Sequence, residues 1–208
     1  MAVPPRGLPH QRRGRAPQER TRYPDYDVLE NARHWDPVTR EVVLARVNDV
    51  PPVRFFDAAE AATARAFCAE VMAQDEEPRV PVMEMVDAKL FEAKLDGYRY
   101  ADMPDDRETW RIVLRALDEA AGGAFADSLR QHEIVAAFAS GDLPIAIDVS
   151  RAWSVVTRAI LSEYYSHPWA WNEIGFGGPA YPRGYMRLSG RDPHERPEAF
   201  DMDPVREG

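Results

Sequence analysis

Between positions 55 and 165, apolar residues recur at spacings of three and four, the period of amphipathic helices. The first such stretch opens at Asp57, with Glu60 three residues on in the pattern of a capping box and Phe56 ahead of the cap. It runs through Ala64, Phe67, Cys68, Val71 and Met72, and Pro78 is predicted to end it. A second helix is predicted from Pro81 to about Asp96, with Pro81 in its first turn and Met85, Ala88, Leu90 and Phe91 as apolar positions. Asp105 or Asp106 caps a third, whose stripe is Trp110, Val113, Leu114, Leu117 and Ala121, and Gly122-Gly123 stops it. A fourth extends from about Ala124 to Ser140 through Phe125, Leu129, Val135 and Phe138, with Gly141 behind it. A fifth takes Ser150 as N-cap, carries Trp153, Val156, Ile160, Leu161 and Tyr164, and ends by His167-Pro168.

Each stripe is best read as core. With no alternating pattern strong enough to predict a sheet, the fold class is all-α, a bundle of about five helices. The predicted domain covers 55–185. Ahead of it, residues 23–54 read as an extended arm with scattered aromatics (Tyr23, Tyr26, Trp35) and turn signals at Asp36-Pro37 and Pro51-Pro52. Within the arm, the short apolar run 41–47 suits either a strand or one to two helical turns. Residues 1–22 read as a disordered basic tail and 186–208 as a loose C-terminal tail.

Composition narrows the function. The chain has 208 residues, 45% hydrophobic and 29% charged, ordinary values for a globular domain with arms. No apolar run reaches the ~18–20 residues of a membrane span. Cys68 is the single cysteine, so an internal disulfide, a cysteine metal cage and a Cys-x-x-Cys-His haem attachment are all excluded. The net charge is −9, but residues 1–22 hold six arginines against Glu19, which leaves −14 on the remainder. Such a body repels nucleic acid and anionic lipid. Arg12-Arg13 is a twin arginine, yet polar, proline-broken sequence follows it where a signal peptide needs an apolar region. The expected location is therefore cytoplasmic, with export in complex with a signal-bearing partner as the alternative.

The unusual chemistry sits in 164–185. Seven aromatics (Tyr164, Tyr165, Trp169, Trp171, Phe176, Tyr181, Tyr185) are interleaved there with Gly175, Gly177, Gly178 and three prolines. The glycines and prolines predict an ordered loop instead of regular helix, because rings of that size need something to pack on. Packing on its own core, facing a partner, and lining a small-molecule pocket are the three readings of residues 166–185. Gly175-x-Gly177-x-x-Ala180 imitates a dinucleotide fingerprint, but a helix precedes it and Pro179 and Pro182 block one behind it, so nucleotide binding is rejected. Glu163 and His167 stand four apart, but the chain holds no Glu-x-x-His pair, and His167 is expected to cap or pack at a helix end. No nucleophile elbow occurs, and Cys68 lies on an apolar stripe where a thiol is inert.

The ordered pieces together resemble the gluconate 2-dehydrogenase subunit 3 family, the small gamma subunits of flavin-dependent sugar and sugar-acid dehydrogenases. The matching residues are Trp35-Asp-Pro-Val-Thr-Arg-Glu-Val-Val-Leu44, Arg54-Phe-Phe-Asp-Ala-Ala-Glu60, Arg79-Val-Pro81, Asp96-Gly-Tyr-Arg-Tyr100, Met103-Pro104 and, most specifically, the block from Tyr164 to Tyr185. The resemblance spans about 35–188. It implies a helical, non-catalytic subunit with no cofactor of its own. FAD would lie in a large partner flavoprotein of the glucose–methanol–choline type, and a cytochrome subunit often takes the electrons. It offers no catalytic residue. The expected contacts with the flavoprotein, placed from the residues themselves, are His167, Trp169, Trp171, Asn172, Gly175, Phe176, Gly177, Gly178 and Tyr181. The rival reading is a stand-alone helical ligand- or metal-binding protein or enzyme, with Glu163, His167 and Asn172 lining a pocket.

Overall fold

The computed structural model describes residues 27–74, 79–94, 100–174 and 176–180. The expectations for 1–22, for Tyr23 and Tyr26, for Gly175 and Tyr181, and for 186–208 lie outside the described residues. Those residues carry seven α-helices, two 3-10 helices and no strand. They fall into two compact units, one of 51–164 and one of 27–50 with 165–180.

The unit of 51–164 is an all-α bundle, as expected. Its helices are α2 (Ala58–Val71), α3 (Val82–Phe91), α4 (Asp106–Ala121), α5 (Gln131–Ser140) and most of α6 (Val149–Ser166). Asp57 and Glu60 form the predicted capping box. Asp105 caps α4, and Gly122 and Gly141 stop α4 and α5 in the left-handed conformation that glycine adopts without penalty. Phe67 sits at the centre of the core. Its ring lies 6.3 Å from Trp110, 6.1 Å from Phe138 and 6.3 Å from Trp153, in tilted or edge-on contacts. Asp118 ties α2 and α4 together from the side, accepting from the Thr63 hydroxyl and the Phe125 amide, both at 2.8 Å.

Several local expectations change. Helix α2 stops at Val71, well before Pro78. Ala73 takes a left-handed turn (φ 48°) and the Gln74 amide bonds back to the Ala69 carbonyl at 2.8 Å. The inward face of α3 is Val82, Met83, Val86, Asp87 and Leu90, with Phe91 exposed beneath the Arg54 guanidinium. Asp87 turns inward because its carboxylate accepts the amides of Arg54, Phe55 and Phe56 at 2.7, 2.9 and 2.9 Å, which binds the segment leading into α2 to α3. The predicted fourth helix is broken. A 3-10 helix, Phe125–Asp127, precedes a turn in which the Ser128 hydroxyl accepts the Arg130 amide, and Leu129 points fully into solvent instead of into the core. Asp148, not Ser150, holds the start of α6 by accepting the Arg151 amide at 2.9 Å.

The second unit contains a 3-10 helix (Val28–His34), α1 (Pro37–Asn48) and α7 (Pro168–Ile174). The stretch read as an extended arm is therefore largely helical, and its apolar run belongs to α1. Asp36-Pro37 proves to be a helix start, not a turn. Asp36 accepts the amides of Val38 and Thr39, Pro37 occupies the first turn, and hydrogen bonds from the Thr39 side chain and then its amide hold the Asp36 carboxyl below its usual range. The segment read as non-helical also forms a helix between its breakers. Pro168 starts α7, and no glycine or proline occurs from Trp169 to Ile174.

Candidate partner-contact surface

A small core fastens the second unit. Val28, Leu29, Trp35, Val43 and Trp171 are buried together, with Ala32, Leu44, Val47 and Trp169 packed around them. Two N-terminal elements and one C-terminal helix thus share one apolar cluster.

Polar side chains fix its register. The Asn172 amide spans the two chain segments, its Oδ1 accepting the Val28 amide at 2.8 Å and its Nδ2 donating to Asp27 at 3.2 Å. Asp27 also accepts the Leu29 amide and so caps the 3-10 helix. Asn31 donates to the Gly177 carbonyl at 3.3 Å. Gly178 has φ +84°, and a Cβ there would meet Val28 Cγ2 at 2.9 Å and Trp35 Cζ2 at 3.0 Å, so a side chain at this position is both strained and obstructed. Trp171 donates its indole N–H to the Tyr165 carbonyl at 2.7 Å and packs edge-on against Phe176, ring centres 5.4 Å apart. Phe176 is in turn held by its amide, which donates to the Trp171 carbonyl at 2.9 Å.

His167 occupies the turn between α6 and α7. Its Nδ1 accepts the Trp169 amide at 3.2 Å, and its ring meets Trp169 edge-on at 5.0 Å. Burial lowers its pKa from 6.5 to about 4, opposed by a backbone hydrogen bond at Arg46 and assisted by the Arg46 charge. The imidazole is therefore neutral near pH 7, and an unprotonated Nδ1 is what the Trp169 amide requires.

The predicted contact residues divide accordingly. His167, Trp171, Asn172 and Gly178 are buried and spent on the unit's own structure, whereas Trp169 and Gly177 are half-buried and Phe176 is exposed. Of the alternative set, Glu163 pairs with Lys89 at 3.6 Å in the bundle unit, and His167 and Asn172 make the hydrogen bonds described above in the other. Cys68 is buried in the bundle, and burial pushes its thiol well above the ordinary value, so it is not a thiolate near pH 7. Among the described residues, no group of three or more His, Cys, Asp or Glu side chains is placed to hold a metal, and no helix is long and apolar enough to cross a membrane.

The sequence reading missed an open groove of about 390 Å³, lined by Val38, Thr39, Val42, Val43 and Arg46 of α1 and by Trp171, Phe176 and Pro179 opposite. Arg46 Nη1 donates to the Ser166 carbonyl at 2.8 Å, and its guanidinium lies over the Trp171 ring, 5.9 Å from its centre. The signal was present in Asp36-Pro37 as cap and first turn, followed by apolar residues at 38, 42, 43 and 47.

Neither a curated protein nor a solved structure matches this chain. One family model does match, that of gluconate 2-dehydrogenase subunit 3, over residues 58–178. The matched span opens at the first residue of α2, takes in the bundle and α7, and closes on Gly178, the glycine lodged against Val28 and Trp35. Matched over more than half its length, the chain belongs to the gluconate 2-dehydrogenase subunit 3 family.

Proposed function

We propose that the chain is a non-catalytic accessory subunit that binds and stabilises a large FAD-dependent dehydrogenase of the glucose–methanol–choline type. That partner oxidises a sugar or sugar acid such as gluconate and carries the FAD. In complexes of this kind a cytochrome subunit often takes the electrons. Family membership supports the reading, and the observation that carries it is the open apolar groove beside the aromatic segment. Exposed apolar surface rimmed by polar residues is the mark of an interaction site. Its physical work would be mass action: a subunit that binds only the folded flavoprotein raises the flavoprotein's stability by RT ln(1 + [L]/Kd).

The test is to produce the flavoprotein subunit of the same host with and without this chain. The expected result is co-migration in size-exclusion chromatography and a flavoprotein melting temperature that rises with the concentration of the chain. Separate elution with an unchanged melting temperature would refute the reading.

A further inference from the structure

The outer face of α1 is built from residues that its own core does not need. Val38 is 69% exposed and Val42 49%, one turn apart, and Phe176 on the opposite wall is 37% exposed. Four of the five α1 residues in the groove (Val38, Thr39, Val42 and Val43) are β-branched. Such residues lower helix propensity, and burial accounts only for Val43. What they supply is stiffness at χ1, so covering them costs little side-chain entropy. The other wall is equally fixed, by the Trp171–Phe176 ring pair and by a backbone set at Gly178 just before Pro179.

Among the described residues that line this groove, Arg46 carries the one formal charge. The Ser166 carbonyl and the Trp171 ring hold its guanidinium in place, and the fork carries five N–H donors. On a chain of net charge −9, a positioned cation in an apolar wall selects for an acidic group and fixes its orientation. A polyol substrate is a poor occupant, because its hydroxyls would be buried unpaired against valine, phenylalanine and proline.

Resting on the accessory-subunit reading, we infer that this groove receives an apolar segment of the flavoprotein that bears a carboxylate, with Val38, Val42 and Phe176 taking the apolar side chains and Arg46 pairing the carboxylate. The mode is helix-in-groove or strand-in-groove recognition with one charged anchor.

The experiment measures affinity of the full chain for the purified flavoprotein subunit of its host, for wild type and for Val38→Asp, Val42→Asp and Arg46→Gln. Circular dichroism confirms that each variant folds. Val38→Asp adds an acid to the first turn of α1, where the helix dipole favours it, and so keeps the test open if Val42→Asp does not fold. The expected result is a loss of roughly tenfold or more for each aspartate variant. For Arg46→Gln the expected result is weaker binding that no longer falls with added salt. Folded variants that bind as tightly as wild type would overturn the groove inference and leave the accessory reading standing. A wild-type chain that binds no flavoprotein would overturn both. A chain that self-associates through Val42, with flavoprotein affinity untouched, would overturn the inference in favour of a second copy as occupant.

Discussion

The two units are stabilised by different means. The bundle of 51–164 is made from contiguous chain, and its core is a set of interlocking rings around Phe67 and Trp110. The other unit is closed by hydrogen bonds between residues 144 and 146 positions apart, Val28 to Asn172 and Asn31 to Gly177, over a small apolar cluster. Burial is non-directional and spread over many residues, so the bundle should tolerate polar changes at its edges. Directional bonds are few and each is needed, so the smaller unit should respond to single atoms and single protons. The difference would suit the proposed accessory role: one unit held by a broad core, and another, carrying the proposed contact surface, whose shape depends on a few bonds.

The largest effect that would test this contrast is in the bundle. Trp110→Ala removes a fully buried indole that touches Phe56 and Phe67, and should cost about 3–5 kcal/mol in urea unfolding. A loss under about 1 kcal/mol would mean that the ring core is not what holds the bundle.

In the smaller unit the corresponding lever is a proton. The folded-state pKa of His167 is about 4 against an ordinary 6.5, so between these values the unfolded state binds more protons. Its contribution is therefore fully present above pH 6.5 and lost as the pH falls toward 4, to a total on the order of 3 kcal/mol. Amide exchange at Trp169, corrected for intrinsic chemistry, should accelerate as pH falls through this window. His167→Asn, which offers an oxygen acceptor that does not titrate, should flatten the profile. A wild-type profile already flat would sink the assignment.

The smallest effect sharpens the comparison from the other side. Leu129→Ser should leave bundle stability within about 0.5 kcal/mol, because Leu129 is fully exposed in spite of its place in an apolar pattern. A cost of 2 kcal/mol or more, as for a buried side chain, would return Leu129 to the core.

Legibility followed the distance over which each decision is made. The capping box at Asp57–Glu60, the stripe of α4 and the glycine stops at Gly122 and Gly141 each rest on interactions within about one turn, and each was readable. The face of α3 was not, because Asp87 turns inward to meet amides more than 30 residues away. Leu129 misled because the Ser128 hydroxyl, a side-chain competitor for a backbone amide, opens a turn inside an apparently continuous stripe. At the candidate site, the aromatic segment was singled out from its composition. Which of its residues are buried and which presented was not legible, because that depends on where α1 and the 3-10 helix pack.

The amino-acid sequence by itself determined that the chain is all-α, where most bundle helices lie, and, through the block around Trp169–Gly178, its family. Those features follow from periodicity, capping and local residue identity. Only the tertiary structure decided that Asn172, Gly178 and His167 serve the interior, and that Val38, Val42, Phe176 and Arg46 form an open groove. Those roles are set by contacts across 120 positions of chain or more, and no local pattern encodes which distant amide or ring a side chain will meet.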